Sequence, residues 1–414
     1  MKTTKILAFI LCLVLVSVSL FSCKDSSTIE ISDDGYWVIN GVRTEVKAVG
    51  ADGKDGTDGK DGTDGKDGTD GKDGLNGKDG VDGKDGLNGK DGVDGKDAIV
   101  ENPQELDFYL QDDGTYAVAV GNAKLLSNID IPATYMEKSV TTIAYGGFNG
   151  CSNLITITIP NSITTIGDQA FGACTSLKSI EIPDSVTSIG NSAFYFCKQL
   201  TSVKLPNSIT TLDHQIFNGC TSLNSIEIPD SVTSIGNQVF YNCSSLTSVK
   251  LPDNVTSIGT YLFSGCSSLM SVKLPNRITS IGEYWFNDCS KLTSIEIPDG
   301  VTSIGAYAFR NCKGLTSIEI PNNVTSIGYR AFSNCSGLTN MLIIPNSVTS
   351  IDAYAFELCT GLTRIVFENT DGWWRSTNAE ATSGSQIWSS DISDTSSVVY
   401  YLVDRWSQYY WRRS

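Results

Sequence analysis

The chain has 414 residues, 40% hydrophobic and 18% charged, with 39 glycines, a single histidine and a formal charge of −16. So acidic a chain is a poor match for nucleic acid, whose binding depends on clustered Lys and Arg displacing counterions from phosphates. Length alone would allow two or three compact domains, but the sequence repeats itself, and internal repetition overrides a domain count.

Residues 1–22 read as a signal peptide. Lys2 and Lys5 precede an apolar run from Ile6 to Phe21 that is short for a bilayer span and is followed by polar chain. Leu20-Phe21-Ser22-Cys23 resembles a bacterial lipobox, although Phe21 stands where a small residue is usual. That resemblance implies acylation of Cys23, export as a lipoprotein, and a place on the outer membrane with the chain exposed at the surface. Residues 23–49 carry two hairpin-turn signals, Asp34-Gly35 and Asn40-Gly41, between alternating apolar stretches, and predict a small β-meander.

From 50 to 97 the chain reads GKDGTDGKDG and its variants, with glycine at every third position. Only glycine fits the axis of a triple helix, so this period is collagen-like. The segment has no proline, which leaves two readings open: a triple helix that makes the protein a homotrimer, or a flexible Gly-rich spacer. Either is a stalk, about 14 nm long if extended at ~3 Å per residue. Residues 98–135 contain LDFYLQDDGTYAVAV, two alternating strands around Asp113-Gly114, placed where a parallel array must cover its first open edge.

Between 136 and 367 one phrase recurs. Cysteines fall at 151, 174, 197, 220, 243, 266, 289, 312, 335 and 359, and phenylalanines track them at 148, 171, 194, 217, 240, 263, 286, 309, 332 and 356. In Leu246-Thr-Ser-Val249-Lys-Leu251-Pro252 the apolar residues alternate, which predicts a strand that proline closes. Val255-Thr-Ser-Ile258 predicts a second short strand, and Gly259 is expected to permit the next bend. In Leu262-Phe263-x-x-Cys266-x-x-Leu269 the spacing of three predicts an inward-facing helical turn. No unit can bury these side chains alone, so the array is a solenoid with one shared core. The cysteines are small buried apolar residues in this reading. Adjacent copies would lie within disulfide range, but side chains pointing the same way suit that bond poorly.

The pattern resembles the BspA-like class of leucine-rich repeats over 101–414. The resemblance implies a β-rich repeat solenoid of 23-residue units with parallel strands and short helical turns. It also implies a surface protein engaged in adhesion. Ala144, Asp213 and Asp352 depart from the usual glycine, and an extra residue lies near Met341.

No catalytic site is expected. Each cysteine has its copies, His214 lacks a positioned nucleophile and acid, and no C-x₂₋₄-C spacing suggests zinc. No metal or cofactor is therefore expected. Candidate binding residues form two columns. The first is the outward strand position, with Glu181, Lys204, Glu227, Lys250 and Lys273, of which the first four alternate in sign and would so relieve repulsion between in-register strands. The second lies two residues before the repeated Phe, where Gln and Ser give way to Tyr261, Tyr284, Tyr307, Arg330 and Tyr354, with Trp285 beside Phe286. Aromatics and Arg anchor interfaces, but stacked tyrosines can also merely pack on each other. Residues 368–414 hold Trp373, Trp374, Trp388, Trp406 and Trp411, and read as a C-terminal cap or a carbohydrate platform. The expected function is a surface lipoprotein binding host or neighbouring-cell proteins; the alternatives are glycan capture for nutrient uptake and a passive structural coat.

Overall fold

The computed structural model describes residues 106–414 except Asn340, and three short strands nearer the N-terminus. Cys23 and the Gly-x-y segment lie outside the described residues. The chain divides into two units, Met1–Ala98 and Ile99–Ser414. In the first, β1 (Ile29–Ile31), β2 (Tyr36–Ile39) and β3 (Val42–Lys47) form an antiparallel sheet, and both turn signals fall between strands.

The second unit is a stack of parallel coils. It starts with an antiparallel hairpin, β4 (Asp107–Leu110) and β5 (Tyr116–Ala119). β5 pairs in parallel with β8 (Lys138–Ile143), so the hairpin covers the first coil and leaves β4 outermost. Two shorter strands, β6 (Asn128–Asp130) and β7 (Thr134–Tyr135), lie between them in the chain. From there the T-S-I segments pair in register in three ladders, interrupted between Ser188–Ile189 and Thr211–Leu212 and between Ser257–Ile258 and Ser280–Ile281; in the last of them Ser303 faces Ser326 and Ile304 faces Ile327. The extra residue near Met341 does not disturb this ladder, because Ser326 still faces Ser350.

The segment around each repeated Phe and Cys is a tight turn, and the expected helical turns are not helices. Tyr307, Phe309 and Asn311 give their N–H groups to Tyr329, Ala331 and Ser333 in the next coil. A helix would need those donors internally. What remains of helical bonding is isolated three-residue closures: Ala308 N–H to Gly305 O at 3.3 Å, Arg310 N–H to Tyr307 O at 3.2 Å, and Cys312 N–H to Phe309 O and Leu315 N–H to Cys312 O at 3.1 Å. Two left-handed residues per coil complete the turn, for example Tyr307 at φ 58° and Asn311 at φ 62°.

The core is made of columns. Successive phenylalanines stack nearly face to face, as Phe309 on Phe332 at 5.2 Å with planes 5° apart. The ten cysteines are free and buried. Their thiols also have a task beyond filling space: Cys174 Sγ donates to Phe148 O at 3.1 Å, and Cys335 Sγ to Phe309 O at 3.0 Å. From Cys174 to Cys359 each thiol thereby reaches a carbonyl of the preceding coil.

Gly259 corrects another expectation. Its backbone is not in the left-handed region; instead, a Cβ there would lie 2.6 Å from the backbone nitrogen of Asn237 in the preceding coil. Glycine is required by the closeness of coils, not by a bend. At Asp352 the column ends, and the carboxylate meets Arg412 at 2.8 Å. Arg412 belongs to the closing strand Tyr410–Arg413, which runs antiparallel to Ser350–Ile351 and buries Trp411 and Trp373 beneath it. The spacing of Val399, Leu402, Val403 and Trp406 corresponds to the short helix Thr395–Val399 continued by a π-helical turn, Tyr400–Arg405.

Candidate protein-binding face

Tyr261, Tyr284 and Tyr307 form one stack along the coils. The ring centroids are 4.2 and 4.4 Å apart, with planes 9° and 13° from parallel. The column then continues edge-on, Tyr307 to Tyr329 at 5.3 Å and Tyr329 to Tyr354 at 5.7 Å. Arg330 sits over the Tyr354 ring at 4.6 Å and pairs with Glu357 at 3.2 Å. All five candidate positions are half-buried. Partial burial, followed by the flanking Tyr261 and Tyr307 hydroxyls, pushes the Tyr284 hydroxyl well above its ordinary pKa, so Tyr284 keeps its proton at physiological pH.

Each of these residues is left-handed, with φ between 54° and 62° at Tyr261, Tyr284, Tyr307, Arg330 and Tyr354. The same backbone position carries Gln169, Ser192, Gln215 and Gln238 in earlier coils. The conformation therefore belongs to the coil, whereas the aromatic side chain belongs only to the later coils.

Trp285 does not join this face. It is 2% exposed, and its indole N–H donates to Gly259 O at 2.7 Å. Trp285 fills space in the interior because the position beside the repeated Phe points inward, so it is not a candidate contact.

The charged column is only partly assembled. Glu181 and Lys204 are register partners and form an ion pair. Lys250 and Lys273 are also register partners, like charges side by side, and Lys273 turns to Asp253 at 3.4 Å. The segment at 225–227 makes no strand pairing, so Glu227 does not continue an alternating ladder between Lys204 and Lys250. Shallow clefts open there instead, one lined by Glu181, Asp184 and Lys204 and another by Glu227, Asp230 and Lys250. These pairs are exposed, so water and salt screen them.

A second set of contacts between coils escapes sequence reasoning. Asp168 Oδ1 accepts the Asn191 N–H at 2.8 Å, Asn191 Oδ1 the His214 N–H at 3.2 Å, His214 Nδ1 the Asn237 N–H at 2.9 Å, and Asn237 Oδ1 the Thr260 N–H at 2.8 Å. His214 is thus an exposed member of a side-chain-to-backbone ladder. The available signal was an acceptor repeated at a separation of 23.

Parallel coils of this length, one Phe and one Cys stack, and a strand closed by proline define a leucine-rich-repeat solenoid. The chain belongs to the BspA-type leucine-rich repeat family, whose repeat region matches 122–245, 187–292, 212–339 and 279–401. A collagen triple helix repeat matches 47–100. Among solved structures, a leucine-rich repeat protein of T. pallidum is similar at 26% identity and TM-score 0.40, covering 51% of this chain and 89% of its own. A leucine rich cell surface protein of Faecalibacterium prausnitzii is similar at 28% identity and TM-score 0.43, covering 64% and 87%. The pneumococcal vaccine antigen PcpA is similar at 21% identity and TM-score 0.41, covering 64% and 85%. No curated protein matches the chain at a significant level.

Proposed function

We propose that this protein is a non-catalytic, lipid-anchored surface protein that adheres to host or neighbouring-cell proteins through the stripe Tyr261, Tyr284, Tyr307, Arg330 and Tyr354. Acylation of Cys23 holds it at the outer membrane, and the Gly-x-y segment sets the solenoid away from the lipid. One observation carries the reading: tyrosine occupies left-handed positions at 261, 284 and 307, where asparagine or glycine would be cheaper for the backbone. Gln or Ser holds the same conformation in the earlier coils, so the change to a stacked aromatic row is an addition that the coil itself does not require.

The stack also distinguishes the partner. A sugar stacks on a free ring face, but both faces of Tyr284 are covered by its neighbours. What reaches solvent is a row of ring edges and hydroxyls beside a guanidinium, the chemistry of a protein interface. Free rings occur elsewhere, at Trp388, which is 63% exposed in the C-terminal cap.

The test is binding of the full chain to a panel of extracellular matrix proteins and glycans, with Tyr261, Tyr284 and Tyr307 all changed to Asn. Asparagine keeps the left-handed backbone. Affinity for a protein ligand should fall by a factor of about 10 to 100, as for loss of one or more interface anchors. A saturable glycan ligand lost with Trp388→Ala and indifferent to the tyrosines would refute the assignment.

A further inference from the structure

The N-terminal sheet leaves an apolar cluster in water. Phe108 and Leu110, two apart on β4, share one face of the strand. Phe108 stacks on Tyr135 at 4.0 Å, and Tyr116 meets Tyr135 edge-on at 5.1 Å. Tyr116 is the register partner of Leu110, and its hydroxyl lies 3.9 Å from Met136 Sδ. Leu110 is 59% exposed and Met136 55%. Three half-buried aromatic rings, from β4, β5 and β7, are therefore ordered next to two largely solvated aliphatic side chains, Leu110 at the end of the outermost strand and Met136 in the turn after β7.

The preceding chain identifies what meets this cluster. The collagen repeat ends at residue 100 and β4 begins at Asp107. The intervening residues reach at most about 20 Å. A triple helix winds three chains about one axis, so each of three solenoids would begin within that distance of the axis and meet the others at an effective concentration on the order of millimolar. A contact too weak to hold free molecules together is populated under those conditions. The Gly-x-y run has no proline to favour the triple helix on its own, so an adjoining contact that aligns the three chains has a clear thermodynamic role.

We propose that the cluster Phe108, Leu110, Tyr116, Tyr135 and Met136 is a contact surface for second and third copies of this chain, and that head-to-head contact there sets the alignment of the Gly-x-y segments. The partner is another copy, because only the chain's own stalk delivers an apolar surface so close to β4. This inference is independent of the tyrosine stripe, which lies in later coils.

The test compares the full chain with a Leu110→Glu/Met136→Glu variant and with Tyr109→Glu, by sedimentation equilibrium and by the triple-helix signal in circular dichroism. Tyr109 is 54% exposed on the opposite face of β4 and serves as the charge control. The unaltered chain and the control should sediment at three times the mass of a single chain. The double variant should dissociate at least about tenfold more readily, as expected for one lost anchor, and lose triple-helix signal at lower temperature. Its solenoid should melt unchanged, since both substituted side chains already face water. A monomeric or dimeric unaltered chain overturns the proposal. So does a double variant as trimeric as the control, or a control that dissociates with it.

Discussion

Leu358 holds a left-handed backbone, φ 59°, with 53% of its surface in water. Its column, the residue before each cysteine, contains glycine at 150, 219 and 265 and Asn or Asp at 242, 288, 311 and 334, residues that tolerate this region, with Ala173 and Phe196 as the other departures. A leucine there meets the full penalty of a Cβ crowding the following carbonyl, about 1–2 kcal/mol, and has little burial to set against it. Leu358→Asn should therefore stabilise the C-terminal coils by about 1 kcal/mol, measured as a higher urea midpoint with an unchanged slope. A lower midpoint would show that the leucine packs on something that outweighs the strain. Phe196, also left-handed at φ 55°, differs because its ring lies against Tyr195 at 4.2 Å and under Lys198 at 5.8 Å, and the same substitution there should gain less.

At the scale of the coil, backbone ladders alone do not set the spacing. His214 accepts the Asn237 N–H through Nδ1, a bond that fixes a donor at the turn after the T-S-I strand. His214→Ala should cost about 1 kcal/mol, and the Asn237 amide should exchange hydrogen faster by roughly the same free energy. His214→Asn should restore protection, because Asn191 and Asn237 perform the same task one coil away on each side. Exchange at Asn237 that is insensitive to both changes would remove this ladder from the account. The example also shows what was legible. Periods in the sequence reveal side chains that point inward, so the Phe and Cys columns and the parallel strands could be read directly. Bonds between one coil and the next depend on how closely coils approach, which no single repeat encodes. A single repeat accordingly suggests a bend at Gly259 and a helical turn around the repeated Phe, because it does not reveal where the N–H groups of that turn go. At the candidate face the tyrosine column was legible from its spacing, whereas its left-handed backbone was not. Trp285 was misplaced for a related reason: an aromatic next to Phe286 looks like a surface addition until the coil shows that its position faces inward.

Across the whole array the buried thiols make stability sensitive to alkali. Burial pushes the thiols from Cys197 to Cys359 above their ordinary pKa, because a thiolate there would lose its water. A free thiol titrates near about 8.5. Below that pH both folded and unfolded chains hold the proton, and stability does not depend on it. Above it only the unfolded chain releases the proton, so each thiol lowers the stability of the fold by about 1.4 kcal/mol per pH unit. The coils share one core, and the losses of neighbours combine to on the order of 10 kcal/mol per pH unit for the array, comparable to the entire stability of an ordinary domain. The raised Tyr284 hydroxyl adds in the same direction at higher pH. The solenoid should accordingly keep its β-type circular dichroism to about pH 8.5 and lose it steeply within about two units above. Thiolate absorbance should rise together with that loss and not before it. If thiolate forms while the dichroism is intact, solvent reaches the cysteine column in the folded state. The coils would then be separable in a way that a continuous shared core forbids.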